Sequence, residues 1–172
     1  MGKTNVLIDE KQLKHTLESF AEFGKTENNG VTRLALSEED LKARRYFCSL
    51  CEKLGMTVTF DDMGNLYARL AGKEKNALPI VMGSHLDSVE KGGRFDGVLG
   101  VVAGIEVVRV LVKNGIEPQV PIIVANMTNE EGARFEPSMM ASGVLSGKFY
   151  KDDMLKSTDK NGITFEEALE KK

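Results

Sequence analysis

The chain has 172 residues, 41% of them hydrophobic and 28% charged, which gives room for one domain with a real core and does not suit a disordered segment. A net charge of −3, with both signs mixed along the chain, provides no basic surface, so no nucleic-acid partner is expected. No apolar run is long enough to span a bilayer and the N-terminus lacks the apolar core of a signal peptide, so the expectation is no membrane partner and a cytoplasmic location.

Asp9 to Phe23 predicts a helix, with Leu13, Leu17 and Phe20 at helical spacing and Asp9 as N-cap. His15 falls on its polar side and reads as a surface histidine. Gly24 to Gly30 is a polar turn. Ser37-Glu38-Glu39-Asp40 starts a second helix ending near Gly55, with Asp40 as a weak capping-box partner. Cys48 and Cys51 lie within it; with no second pair to complete four sulfur ligands, they read as two reduced helix cysteines. Met56–Asp61 and Leu66–Leu70 alternate and form a hairpin through Asp62-Met63-Gly64-Asn65.

Ala77 to Gly83 is a fully apolar strand suited to a sheet interior. Gly97 to Lys113 is the strongest helix: Val98, Val101, Val102, Ile105, Val108 and Val112 recur at helical spacing, and Asn114-Gly115 ends it. Val120 to Met127 is a second apolar strand. Strand, helix and strand in this order form a right-handed crossover, so the two strands should be parallel and near the sheet's centre. Pro137 to Leu145 reads as a short helix, and Phe165 to Lys171 as another with Thr164 as its cap.

In an open parallel sheet, ligands bind beyond the carboxyl ends of the strands. His85-Leu86-Asp87 follows the first apolar strand, Glu130-Glu131 follows the second, and Asp96 precedes the helix between them. Connectivity alone therefore gathers three segments at one edge. One imidazole and several carboxylates suit a pair of divalent metals such as zinc, manganese, cobalt or nickel. His85 would ligate through one nitrogen while Asp87 hydrogen-bonds the other and fixes the tautomer. Asp96 has two oxygens with which to bridge two ions. Of the adjacent glutamates, one can ligate while its neighbour stays free to carry a proton. Each residue also has an ordinary role open to it, Asp96 as an N-cap and Glu130-Glu131 as a solvated loop; their convergence favours a site.

The stretches Gly-Ser-His-Leu-Asp-Ser-Val from Gly83, Gly-Gly-Arg-Phe-Asp-Gly-Val-Leu-Gly from Gly92 and Asn-Glu-Glu-Gly-Ala-Arg-Phe from Asn129 resemble the hydantoinase/carbamoylase branch of the M20 metallopeptidase clan. That branch includes N-carbamoyl-L-amino-acid hydrolases, allantoate amidohydrolases and β-ureidopropionases. The likeness runs from Gly30-Val31-Thr32-Arg33 to Ser142–Gly147, most of the chain. It implies a three-layer α/β sandwich with a mixed, mostly parallel sheet. It also implies that His85, Asp96 and Glu131 are metal ligands, Asp96 as the bridge, that Glu130 is the general base, and that Asp87 orients His85. The implied reaction cleaves the terminal C–N bond of a small ureido substrate, releasing ammonia and carbon dioxide.

The family's two further histidine ligands have no counterpart here, since the chain has only His15 and His85. The resemblance therefore implies the N-terminal part of a catalytic domain, without lid or dimerisation domain, holding an incomplete site and inactive alone. Apolar surface left bare would drive homo-oligomerisation or self-association. The competing readings are a catalytically dead α/β binding or assembly module and an M20 aminopeptidase or dipeptidase.

Overall fold

A computed structural model describes residues 6–170. Helix α1 is Glu10–Ala21, and Asp9 caps it as expected, its carboxylate accepting from the Gln12 N–H at 3.1 Å. Helix α2 is Glu38–Lys53, capped by the Ser37 hydroxyl on the Asp40 N–H. Asp40 makes no reciprocal capping-box bond. It accepts from the Leu36 N–H at 2.8 Å and from Arg44 at 2.7 Å, because its side chain turns inward and is fully buried. Both cysteines of α2 are free thiols, and burial pushes Cys51 up to about 12.

Strands β1 (Thr57–Phe60) and β2 (Leu66–Leu70) form the expected antiparallel hairpin. Its turn is organised by Asp61, whose carboxylate accepts from the Met63 and Asn65 N–H groups. Strand β3 (Ile80–His85), helix α3 (Val98–Lys113) and strand β4 (Ile122–Met127) form the crossover, and β3 pairs parallel to β4 from Ile80↔Ile122 to His85↔Met127. Three short helices follow: α4 (Met140–Leu145), α5 (Lys151–Leu155) and α6 (Phe165–Leu169). The reciprocal capping box of Thr164 and Glu167 starts α6; Lys171, the expected end of that helix, lies outside the described residues.

The fold is α/β with a mixed sheet in the order β1-β2-β4-β3. One pairing is parallel and two are antiparallel. Two expectations about the sheet need correcting. β3 begins three residues later than its apolar run, leaving Leu78 90% exposed. It is also an edge strand, with Ile80 and Val81 more than half exposed; of the two apolar strands of the crossover, β4 alone is interior. Helices α1, α2 and α3 share one core cluster with Leu66, Ala68, Ile122 and Val124, so all three lie on one face of the sheet. Residues of the opposite face, such as Tyr67, Arg69, Val81 and Ile123, stay half-buried or exposed. A smaller core, built on Met63, Phe135, Met140, Phe165 and Leu169, packs α4 and α6. No helix among the described residues is long and apolar enough to cross a membrane.

Two glycines explain how the site end of the sheet is built. Gly83 has φ +148, and a Cβ there would sit 2.0 Å from the Ala125 carbonyl oxygen, so only glycine lets β3 lie against β4 at this register. Gly97 has φ +66, and a Cβ would fall 2.4 Å from the His85 ring. The imidazole therefore lies directly on the backbone that opens α3.

Candidate active site at the carboxyl edge of the parallel pair

His85 is the last residue of β3 rather than part of the following loop, and it is buried. Its Nδ1 lies 2.9 Å from the Asp87 backbone carbonyl. A carbonyl only accepts, so Nδ1 carries the proton in this bond and the Nε2 lone pair points outward. Nε2 is 3.4 Å from Glu130 Oε2. The bond expected from the Asp87 carboxylate is thus made by its main chain; Asp87 Oδ1 lies 3.9 Å from Nδ1.

The Asp87 carboxylate turns to the other strand. Oδ1 accepts from the Glu130 N–H at 3.3 Å and Oδ2 from the Glu131 N–H at 3.2 Å. It ties the end of β3 to the turn after β4. Burial raises its pKa to about 6, helped by Asp40 and opposed by His85 and the two amides.

Asp96 is exposed and does not cap α3. The cap position belongs to Gly97, without a side-chain bond. The Asp96 carboxyl instead meets Glu131. Burial raises the Glu131 pKa, and Asp96 and Glu130 push it further the same way, against His85. His85, Asp96, Glu130 and Glu131 are thereby brought together, as connectivity predicts. Among the described residues no three His, Cys, Asp or Glu side chains converge on one point as a ready metal cage. The donor chemistry nevertheless fits a cation: an outward imidazole lone pair stands among crowded carboxylates, one of them with a raised pKa. His15 is exposed on α1 and takes no part.

Sequence reasoning missed the residues that hold these segments. Asn129 adopts a left-handed conformation at φ 53, and its buried carboxamide donates to the Phe135 carbonyl at 2.7 Å. Thr128 is bonded to Asn65 through its N–H and to Arg44 through its hydroxyl. Arg33, fully buried, donates to the Leu86 carbonyl between His85 and Asp87. An αL-tolerant Asn beside the two glutamates was the one local signal available. The apolar cavity of about 320 Å³ lined by Leu41, Cys48, Phe60 and Leu169 also touches Arg44, but none of His85, Asp96, Glu130 and Glu131 lines it. At the carboxylate edge Asp96 is exposed and the Glu130 side chain is a third exposed.

The chain is similar to N-carbamoyl-L-amino-acid amidohydrolase of Rhizobium meliloti, 40% identical over 167 residues, covering 97% of this chain and 40% of the relative. It is 31% identical to allantoate amidohydrolase of Bacillus subtilis over 153 residues, covering 89% of this chain and 37% of that protein. Among solved structures, a hydantoinase/carbamoylase family amidase from Burkholderia ambifaria superposes with a TM-score of 0.95 at 46% identity, covering 96% of this chain and 41% of that one. The chain thus spans about two fifths of the length of these proteins. The family model of peptidase family M28 matches residues 65–165, from the end of the hairpin turn to the start of α6. That match covers more than half of the chain and every segment that meets at the carboxylate edge, so the protein belongs to peptidase family M28, with hydantoinase/carbamoylase amidases among its relatives.

Proposed function

We propose that this chain carries the N-terminal part of the active site of a metal-dependent amidohydrolase acting on N-carbamoyl compounds, such as N-carbamoyl-L-amino acids or allantoate. One observation carries the reading: His85, Asp96, Glu130 and Glu131 converge beyond the parallel pair, with Asp87 accepting from the amides of both glutamates. The activities for which these relatives are named support the substrate class.

His85, Asp96 and Glu131 would hold divalent ions of the zinc, manganese, cobalt or nickel type. When bound, such ions supply Lewis-acid polarisation and make water acidic near neutral pH. The chain's own residues do the remaining work. The Asp87 carbonyl keeps the proton on His85 Nδ1, leaving Nε2 as the donor atom. The Asp87 carboxylate holds Glu130 and Glu131 in one fixed turn, so two neighbouring carboxylates take different roles. Glu131, bonded to Asp96, belongs to the ligand set. Glu130, a third exposed, takes a proton from the attacking water and passes it to the leaving nitrogen of the ureido group.

Three protein ligands are too few for two ions, which need about three each even with a bridge counted twice. The 172 residues alone are therefore expected to bind metal weakly and to show no turnover. The test uses a version extended to the length of the relatives, supplied with manganese or cobalt and assayed for ammonia release from ureido substrates. Glu130→Gln should cut turnover by about a hundredfold or more with metal content unchanged, while Glu131→Gln should lower metal content first. Swapped outcomes would overturn the roles. No ureido hydrolysis by the extended protein would overturn the function.

A further inference from the structure

Among the described residues Arg33 is the largest fully buried side chain, and no carboxylate of theirs lies within ion-pair distance of it. Its guanidinium is held by main-chain oxygens instead. Nε donates to the Leu86 carbonyl at 2.6 Å, and Nη1 donates to the Phe20 and Phe23 carbonyls at 2.8 Å each. Nη2 is buried without a partner. The Phe20 and Phe23 carbonyls lie at the C-terminal end of α1, where the helix dipole favours a cation. The third acceptor is different in kind: Leu86 is the residue between His85 and Asp87.

A buried, unpaired guanidinium is an expensive way to fill space; an apolar side chain would avoid its desolvation. The placement around it is equally specific. The Arg33 N–H donates to the Ser88 hydroxyl and the Ser88 N–H donates to the Arg33 carbonyl, both at 2.9 Å. Val31 and Gly92 exchange main-chain bonds just beyond. The short segment 31–33 therefore runs along the loop that leaves β3, and its one long side chain reaches back to the peptide joining the two site residues.

We propose that Arg33 is a positioning residue. By fixing the Leu86 carbonyl, it turns the neighbouring peptides so that the Asp87 carbonyl meets His85 Nδ1 and Nε2 faces the carboxylates. The imidazole is set by a three-step relay of guanidinium, Leu86 carbonyl and Asp87 carbonyl, and no part of it needs a bound ion. The inference therefore stands or falls independently of the hydrolase reading.

The chain has only two histidines, His15 exposed and His85 buried, so imidazole nitrogen resonances report the site with an internal control. The sample is the 172-residue protein in EDTA at neutral pH. In the wild type, His85 should show a fixed Nδ1–H tautomer, with its two nitrogens far apart in shift, while His15 shows averaged values. In Arg33→Lys the charge remains, but one ammonium cannot span three carbonyls. The His85 nitrogens should then move most of the way towards averaged values, with His15 unmoved and the methyl spectrum still dispersed. A purely structural arginine would lower the unfolding temperature and leave the His85 pattern as in the wild type, and that result would overturn the proposal. Should Arg33→Lys not fold, the wild type decides on warming. The Arg33 Nε–H and the His85 Nδ1–H should lose protection together below the unfolding midpoint. Loss of the His85 tautomer while the Arg33 Nε–H stays protected would equally sink it.

Discussion

The carboxyl ends of β3 and β4 lie side by side, and each is held by a buried arginine from the preceding helical region. The two arginines are balanced in opposite ways. Arg44, on α2, pairs with the carboxylate of Asp40 at 2.7 Å, and its other nitrogens reach the Gly64 carbonyl and the Thr128 hydroxyl at the end of β4. Arg33 reaches only carbonyls, one of them inside the His85-Leu86-Asp87 turn at the end of β3. At β4 the charge is neutralised and the fixed group lies before Glu130 and Glu131. At β3 no carboxylate is within ion-pair distance, Asp40, Asp87 and Glu39 acting only from farther off, and the hydrogen-bonded group lies between His85 and Asp87. A pair of full charges makes a strong brace; a cation on carbonyls instead dictates how peptides are turned.

The largest effect is expected from removing the cation at the β4 end. Arg44→Met leaves Asp40 ionised or protonated in a fully buried position, with one oxygen already lacking a partner. Breaking one side of a buried pair costs about 3–5 kcal/mol. Urea unfolding should show a loss of that size, and the double change Arg44→Met with Asp40→Leu should recover much of it. A single-variant loss below about 1 kcal/mol would mean that the brace contributes little.

The next effect tests the close approaches that seat β3. Gly83→Ala puts a methyl 2.0 Å from the Ala125 carbonyl oxygen, which cannot move without opening the β3–β4 ladder. Overpacking of this kind costs about 1–3 kcal/mol or more. Gly97→Ala meets the His85 ring at 2.4 Å, and a side chain can yield where a ladder cannot. Gly83→Ala should therefore lose more stability in the same urea series, and Gly97→Ala should instead displace the imidazole. Equal losses with an unmoved His85 would contradict that division.

Much of this edge was legible in the sequence, for local reasons. The periodicity of Val98 to Val112 fixes a helix, and a helix between two apolar runs makes them parallel neighbours, so His85, Asp96 and the two glutamates had to meet. What was not legible depends on distant partners. Nothing in Ala77–Gly83 says whether a strand lies on its outer side, so its edge position could not be read from an apolar run that also fits a sheet interior. Helix α5 has five residues and buries none of them, so no periodic signal announces it. Arg33 looks like any polar residue of a loop until Phe20, Phe23 and Leu86 close around it. The choice between the Asp87 carboxylate and its own carbonyl as the partner of His85 is a matter of torsion within three residues, to which spacing is blind.

The smallest expected effect concerns Asp87, which joins the two ends. Burial lifts its folded pKa to about 6 from an ordinary 3.8, and Asp40 adds to the lift. The folded protein therefore holds this proton more tightly than the unfolded chain does. The stabilisation is fully present below about pH 4 and is lost as the pH rises through about 6. Asp159 has the opposite sign: its burial is outweighed by the Asn161 and Ile163 amides and Arg134, so its contribution is present above the ordinary carboxylate range and fades in acid. A raw stability curve mixes both. The difference between wild type and Asp87→Asn, each unfolded in urea with EDTA present, isolates Asp87, because the amide keeps the shape and cannot titrate. That difference should fall between pH 4 and 6.5 by on the order of 1–2 kcal/mol, short of the roughly 3 that two full pKa units would give, since nearby groups adjust as the charge appears. Above pH 6.5 it should be level. A difference that rose with pH would mean that the two glutamate amides outweigh burial and hold Asp87 as a carboxylate throughout.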